Sequence, residues 1–325
     1  MTRRDDPSCL LSDRDVPSPS RNETPRLGVG SCTAKEPAVT TSPDRVWFVT
    51  GAGRGLGRAF AEAALAAGDR VTAVARDIAP LDGLAEKYGP ERLLALPLDV
   101  TDRAAVVAAV DRAVAHFGRL DVVVNNAGFL AMGMVEEFTE DQARAQLETN
   151  FFGALWVSQA VLPHLRARRS GHILQISSIG ALGGFALTGL YSASKFALEG
   201  LSESLAAETA QFGVKVTIVE PGGYWTGLYT KGMTMTEPLD VYADLRTELQ
   251  EQFAEASRDS LPELAAEAVM ELVASDDPPL RLLLGGLAFD VAMSTTEARL
   301  ETWRAWESTS RAAERAVPAP EGYGA

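Results

Sequence analysis

Thiols are almost missing from this sequence. Its 325 residues include two cysteines, Cys9 and Cys32, both near the start. The rest of the chain therefore has no cysteine nucleophile, no thiolate zinc site and no disulfide framework. Histidine is nearly as scarce. His116, His164 and His172 stand apart without a ligand spacing, so no metal site is expected. Positive charge is in deficit, with 30 Lys and Arg against 44 Asp and Glu and a net charge of −14. Such a surface repels phosphate backbones and anionic lipid, which argues against nucleic acid and membrane as partners. No apolar run approaches the roughly 18 residues that span a bilayer. The longest candidate, Leu280–Met293, is broken by Arg281, Gly285, Gly286 and Asp290 and reads as a buried strand with its continuation. A reducing, cytoplasmic setting fits these absences.

What is present is ordinary for a globular enzyme: 46% hydrophobic and 23% charged residues. Residues 1–44 differ from the rest. They hold six of the 17 prolines and mix charges of both signs without apolar periodicity, and they read as a disordered extension. Arg3 and Arg4 are followed by no apolar segment of the kind an export signal needs. From Arg45 on, strands and helices alternate. Strands are expected at Arg45–Thr50, Arg70–Ala75, Leu93–Leu98, Leu120–Val124, Ile173–Ile176 and Val214–Val219. Helices are expected at Gly55–Ala67, Leu81–Tyr88, from the cap Asp102 to Phe117, over Glu140–Arg168 and near Tyr191–Phe212. This alternation predicts an α/β fold, a doubly wound parallel sheet of Rossmann type between helices, as a single domain over 45–290. A C-terminal helix and tail are expected over 291–325, with Leu300, Trp303 and Trp306 on an apolar stripe.

The first strand runs into Gly51-Ala-Gly-Arg-Gly-Leu-Gly57, and a helix follows. Glycines let the backbone turn tightly and approach a pyrophosphate, while the helix start offers free N–H groups. The spacing Thr50-Gly51-x-x-x-Gly55-x-Gly57 resembles that of the short-chain dehydrogenase/reductase family. Asp99-Val100 after the third strand, Asn125-Asn126-Ala127-Gly128 after the fourth, Asn150, Ser178, Tyr191-x-x-x-Lys195, Pro221-Gly222 and Thr226 follow in that family's order. The resemblance covers about residues 45–290 and implies a nicotinamide dinucleotide held by Gly51, Arg54, Gly55, Leu56, Gly57, Arg76, Asp99, Val100, Asn126, Ala127, Gly128, Tyr191, Lys195, Pro221, Gly222 and Thr226. An arginine at the end of the second strand suits a 2′-phosphate, an acid a 2′-hydroxyl. The acidic position falls on Ala75, followed by Arg76, and Arg54 stands in the glycine loop, so NADP(H) is favoured over NAD(H). Asp77 is the competing ribose ligand.

Reducing a carbonyl takes a hydride on carbon and a proton on oxygen. A tyrosine is a weak base at neutral pH, and a nearby ammonium lowers its pKa. On a helix, Tyr191 and Lys195 lie on one face, about 40° apart. The resemblance implies Tyr191 as general acid/base, Lys195 as its partner and ribose ligand, Ser178 as donor to the substrate oxygen, and Asn150 as holder of a relay water. Ser177, by strand alternation, faces the other way, and Asn125 braces the sheet. Apolar residues in Ala181–Leu190 (Leu182, Phe185, Leu187) and after Pro221 (Tyr224, Trp225, Leu228, Tyr229) suggest a small, hydrophobic carbonyl or alcohol substrate, although core packing accounts for them equally well. The polar, helical segment 232–260 reads as a lid. Relatives imply a homodimer or homotetramer. Two other classes stay open: an NADP(H) sensor without turnover, and an isomerase or dehydratase on the same cofactor site.

Overall fold

The computed structural model describes residues 44–256 and 259–315, together with Val317 and Gly322. The segment expected to be a disordered extension lies outside the described residues except for Asp44, whose carboxylate pairs with Arg70 at 2.8 Å.

Apolar runs too short for helices form the strands, and the central ones, β1, β4 and β6, are buried along nearly their whole length. In chain order the elements are β1 Val46–Thr50, α1 Gly55–Ala66, β2 Arg70–Ala75, α2 Asp82–Tyr88, β3 Leu93–Pro97, α3 Arg103–Phe117 and β4 Val122–Asn125. Next come β5 Leu130–Met132, α4 Glu140–Leu147, α5 Gly153–Arg168, β6 Gly171–Ile176, α6 Gly189–Thr209 and β7 Val214–Pro221. The chain closes with β8 Met233–Met235, α7 Ala243–Ala256, α8 Pro262–Ala274, β9 Arg281–Leu284, α9 Gly286–Ala305 and α10 Glu307–Ala312. Seven strands pair in the order β3-β2-β1-β4-β6-β7-β9, every pair parallel. This is the expected α/β Rossmann-type sheet.

One apolar layer joins α1, α2 and α8 to the sheet through Phe60, Leu65, Leu84, Val269 and Leu272. The other joins α3, α5 and α6 through Val106, Val110, Val161, Leu165 and Leu205. Continuous burial on both faces is what a parallel sheet with helical crossovers demands. Asp102 caps α3 as expected, its carboxylate accepting from the Ala105 N–H at 3.0 Å. Strand order reverses between β1 and β4, which opens a crevice beyond their carboxyl ends.

The helix expected over Glu140–Arg168 is not continuous. A π turn at Glu148–Phe152 separates α4 from α5. It widens the helix by one residue, the kind of bulge that redirects a side chain, and Asn150 sits within it. The C-terminal helix starts earlier than expected, at Gly286, and Trp303 and Trp306 remain exposed on it. Outside the main sheet, β5 and β8 form a two-stranded parallel ribbon. No described helix is long and apolar enough to cross a membrane.

Candidate active site

The crevice is built first from backbone. Gly51 and Gly55 adopt left-handed φ values of +65° and +56°, which side chains resist. A Cβ on Gly57 would lie 2.4 Å from Asn126 Nδ2 and 2.5 Å from the Gly51 carbonyl oxygen, so the loop and the end of β4 interlock there. The Thr50 hydroxyl accepts from the N–H groups of Asn126 and Ala127 at 2.9 and 3.0 Å. Asn126 Nδ2 in turn donates to the Thr50 carbonyl at 2.9 Å. No side chain caps α1, and its first turn carries no acid, so its N–H groups face the crevice with an unopposed partial positive charge. Thr226 lies over the loop, its Cβ 3.1 Å from where a Gly55 Cβ would stand. Gly222, next to Pro221, is tied to β9 by its N–H to the Leu284 carbonyl at 3.0 Å.

Three helical segments then bring polar side chains to the end of β6. The Ser178 hydroxyl accepts from the Gly180 N–H at 3.0 Å, and a Cβ at Gly180 would lie 3.5 Å from that oxygen and 3.1 Å from the Tyr191 ring, so the two side chains are neighbours. Lys195, one turn along α6, is 5% exposed and donates from Nζ to the Ile176 carbonyl at 2.7 Å. Its ammonium lies 5.7 Å from the Tyr191 ring centre. Burial pushes Tyr191 up to about 12, against a lowering by Ser178 and with a further rise from Tyr229. Burial pulls Lys195 down to about 8, opposed by Glu199. Desolvation thus outweighs the lowering of Tyr191 expected from an adjacent ammonium. Ser177 turns away from Tyr191, as alternation requires, and donates to Glu199 at 2.6 Å.

Asn150 is buried, with Oδ1 accepting from the Phe129 N–H at 3.0 Å and Nδ2 donating to the Phe129 carbonyl at 3.0 Å and to Ser194 Oγ at 3.1 Å. The π turn thereby joins the segment after Gly128 to the helix bearing Tyr191. Asn125 bonds Ser158 and Gln175 at 3.1 and 3.0 Å inside the sheet, a bracing position. Thr50 opens the glycine motif read in the sequence but was given no role there, and Ser194, inside the Tyr-x-x-x-Lys segment, was not singled out.

At the far end of the crevice, Arg76 and Asp99 flank a cleft of 380 Å³ also lined by Pro97, Leu98, Asp102 and Ala105. Asp99 accepts from the Thr101 N–H at 3.0 Å, and Val100 packs on the first turn of α5. Arg54 is exposed and reaches the Lys231 carbonyl at 3.3 Å. The Asp77 carboxylate is engaged locally, accepting from the Ala79 N–H at 3.1 Å. Among the residues expected to line a substrate pocket, Leu187 and Tyr224 are buried, Leu182 and Phe185 half-buried, and Trp225 and Tyr229 exposed. Leu187 holds a left-handed φ of +68°, a strained value for a branched side chain. Its carbonyl accepts from the Gly133 N–H at 2.9 Å, which ties the loop to the end of β5.

A family model described as short chain dehydrogenase matches residues 45–236. The chain belongs to the short-chain dehydrogenase family. It is 42% identical to the oxidoreductase BOA17 of Botryotinia fuckeliana over 266 residues, covering 80% of this chain and 97% of that one. It is 36% identical to a 3-ketodihydrosphingosine reductase of Bacteroides thetaiotaomicron, covering 75% and 88%. A short-chain dehydrogenase structure from Streptomyces avermitilis superposes with a TM-score of 0.77 at 42% identity, over 83% of this chain and all (100%) of that one. An alcohol dehydrogenase from Thermococcus sibiricus complexed with 5-hydroxy-NADP superposes with a TM-score of 0.62 at 25% identity, over 74% and 95%. This short-chain dehydrogenase is accordingly an NAD(P)-dependent oxidoreductase acting on CH–OH or C=O groups.

Proposed function

We propose that this short-chain dehydrogenase interconverts a carbonyl and an alcohol on an apolar small molecule with NADP(H), and that Tyr191 moves the proton. The observation that carries this reading is that Ser178 and Tyr191 flank Gly180 together, with the buried Lys195 one turn along the same helix donating to the Ile176 carbonyl. These groups lie beyond the carboxyl end of β6, on the same side of the parallel sheet as the glycine loop after β1. The loop's left-handed glycines and uncapped helix start suit a pyrophosphate. Gly51, Gly55, Leu56 and Gly57 would hold it, with Asp99 and Val100 toward the adenine, Asn126, Ala127 and Gly128 along the ribose, and Pro221, Gly222 and Thr226 toward the nicotinamide.

Bound there, the nicotinamide supplies the hydride for the carbonyl carbon. Tyr191 gives its proton to the carbonyl oxygen in reduction and takes one back in oxidation. Its high pKa keeps that proton in place at neutral pH, which suits a general acid. Ser178 donates to the same oxygen, and Lys195 stabilises the phenolate left behind and binds ribose hydroxyls. Asn150 holds the water through which a proton returns from solvent.

Preference for NADP(H) is supported by the open position of Arg76 beside the 380 Å³ cleft, the local engagement of Asp77, and the NADP analogue in the Thermococcus relative. A keto group as the reacting function is supported by the name of the Bacteroides reductase. A cytoplasmic homodimer or homotetramer accords with this reading and is tested by sedimentation and cell fractionation. The cofactor assignment is tested by fluorescence titration of NADPH and NADH. Arg76→Ala is expected to weaken NADPH binding about tenfold or more, the scale of one charge-assisted hydrogen bond, and to leave NADH binding unchanged. Tighter NADH binding by the wild type would overturn it and point to Asp77.

A further inference from the structure

Three consecutive residues at the end of β6 each hold one member of a single stripe on α6. The Ile176 carbonyl accepts from Lys195 at 2.7 Å, the Ser177 hydroxyl donates to Glu199 at 2.6 Å, and Ser178 lies beside Tyr191 across Gly180. Tyr191, Lys195 and Glu199 follow at four-residue steps, so they share a helix face. Glu199 is 6% exposed and Lys195 5%, a degree of burial that leaves little water to screen the ammonium from the carboxylate.

Glu199 is also gripped from behind. Arg281 of β9 donates to Glu199, to Glu220 at 2.9 Å and to Glu203 at 2.5 Å. Glu220 of β7 is 1% exposed and shares the Arg281 Nη1 donor with Glu199. Two buried carboxylates side by side resist double ionisation. Burial and Glu199 push Glu220 up to about 7, against the pull of Arg281. A purely structural tie between β9 and α6 would account for Arg281, Glu203 and Glu220. Such a tie also uses the Glu199 carboxylate, but it does not require that carboxylate to stand one turn beyond Lys195 on the same buried helix face.

Resting on the reading of Tyr191 and Lys195 above, the geometry points to Glu199 as a positioning residue for that pair. Held by Ser177 and Arg281, its carboxylate keeps Lys195 an ammonium, and Glu220 sets how much negative charge accumulates there. Among the described residues, the titratable and charged groups toward Lys195 are Tyr191 and Glu199 on its own helix, with Arg281, Glu220 and Glu203 behind Glu199. Asn150 approaches through Ser194 and carries no charge.

The test is NMR titration of carbon-13-labelled lysine ε-carbons in the full chain, the Lys195 signal being assigned by its loss in Lys195→Met. In Glu199→Gln the acid dissociation constant of Lys195 is expected to rise at least about threefold. Ser177→Ala should move it the same way, and Glu203→Gln should leave it in place. The alkaline limb of NADPH-dependent phenanthrenequinone reduction should shift to lower pH by the same factor. An unmoved Lys195 titration in Glu199→Gln, with an unchanged thermal melt, overturns the proposal. So does a titration that moves while the reduction profile stays where it was. If Glu199→Gln does not fold, Ser177→Ala decides by the same two readouts. Tyr191→Phe, assayed alongside, separates the levels. Full turnover there overturns the reading of the Tyr191–Lys195 site itself. Lost turnover there with an unmoved titration overturns the role of Glu199 alone.

Discussion

Neighbouring serines just beyond β6 serve different partners two turns apart on one face of α6. Ser178 lies beside Tyr191, and Ser177 donates to Glu199. The same burial that raises Tyr191 to about 12 lowers Lys195 to about 8, since removal from water disfavours the charged form of each. Carbonyl reduction should therefore slow as pH climbs through about 8, where the ammonium beside Tyr191 is lost. Lys195→Arg, charged throughout, should lose that limb while turning over more slowly, because a planar guanidinium does not reproduce the ammonium's hydrogen bond to the Ile176 carbonyl. A kcat/KM profile on a fixed ketone checks this, and a limb that persists in Lys195→Arg would assign it to another group. At this scale Ser178, Tyr191, Lys195 and Asn150 were picked out in the sequence by the family's motif order, and the structure links Asn150 to the Tyr191–Lys195 helix through Ser194. Glu199 was not singled out, although its four-residue step from Lys195 is a local signal. Its ties to Arg281 and Glu220 depend on strands that are brought together only by the fold.

Pairing between β6 and β7 buries His172, 5% exposed, with its Nε2 2.9 Å from the Thr217 hydroxyl. Burial, and then Lys215, lower it from 6.5 to about 4. The unfolded chain takes up this proton first, so stability present above pH 6.5 is lost as pH falls through about 4. The loss amounts to about 3 kcal/mol at most. His172→Gln should flatten that acid dependence in thermal melts at matched ionic strength, and an unchanged slope would place the proton uptake elsewhere. A second buried charge organises the segment read as a lid. Burial raises Glu137, yet Arg246, the Leu239 N–H, Thr236 and the Met134 N–H hold it down to about 2. It thus pins the start of α7 beside the β5–β8 ribbon. Glu137→Gln should speed proteolytic cleavage between Leu239 and Ala256 about tenfold, the scale of one charge-assisted hydrogen bond. Equal cleavage of wild type and variant would remove Glu137 as the clamp. The ribbon was not legible in sequence, because two three-residue strands a hundred positions apart leave no periodic trace. By contrast α8 was readable and passed over. Pro262 opens it, and Ala265, Ala266, Val269 and Leu272 repeat at helical spacing. The π turn escaped notice for a different reason: α4 buries only Gln146, so it has no apolar stripe against which a one-residue slip of phase can be read.

Across the whole molecule, seven parallel strands put the segments that follow β1, β4, β6 and β7 on the same side of the sheet. That arrangement follows from right-handed crossovers, which return each strand in the same direction. It made the fold class legible from strand–helix alternation alone. Removal of residues 1–43 should leave the melting temperature and NADPH affinity unchanged, since their composition offers little apolar surface to bury. A lowered melting temperature on calorimetry would contradict this. The central claim is that Tyr191 supplies the proton to a substrate reduced by NADPH. It is tested most directly by following NADPH consumption with a panel of apolar ketones in wild type and Tyr191→Phe, with NADPH binding measured in both. The expected result is turnover by the wild type that falls by about 10²-fold or more in the variant while cofactor affinity is kept. Comparable turnover by both proteins, or NADPH binding without consumption by either, would contradict it.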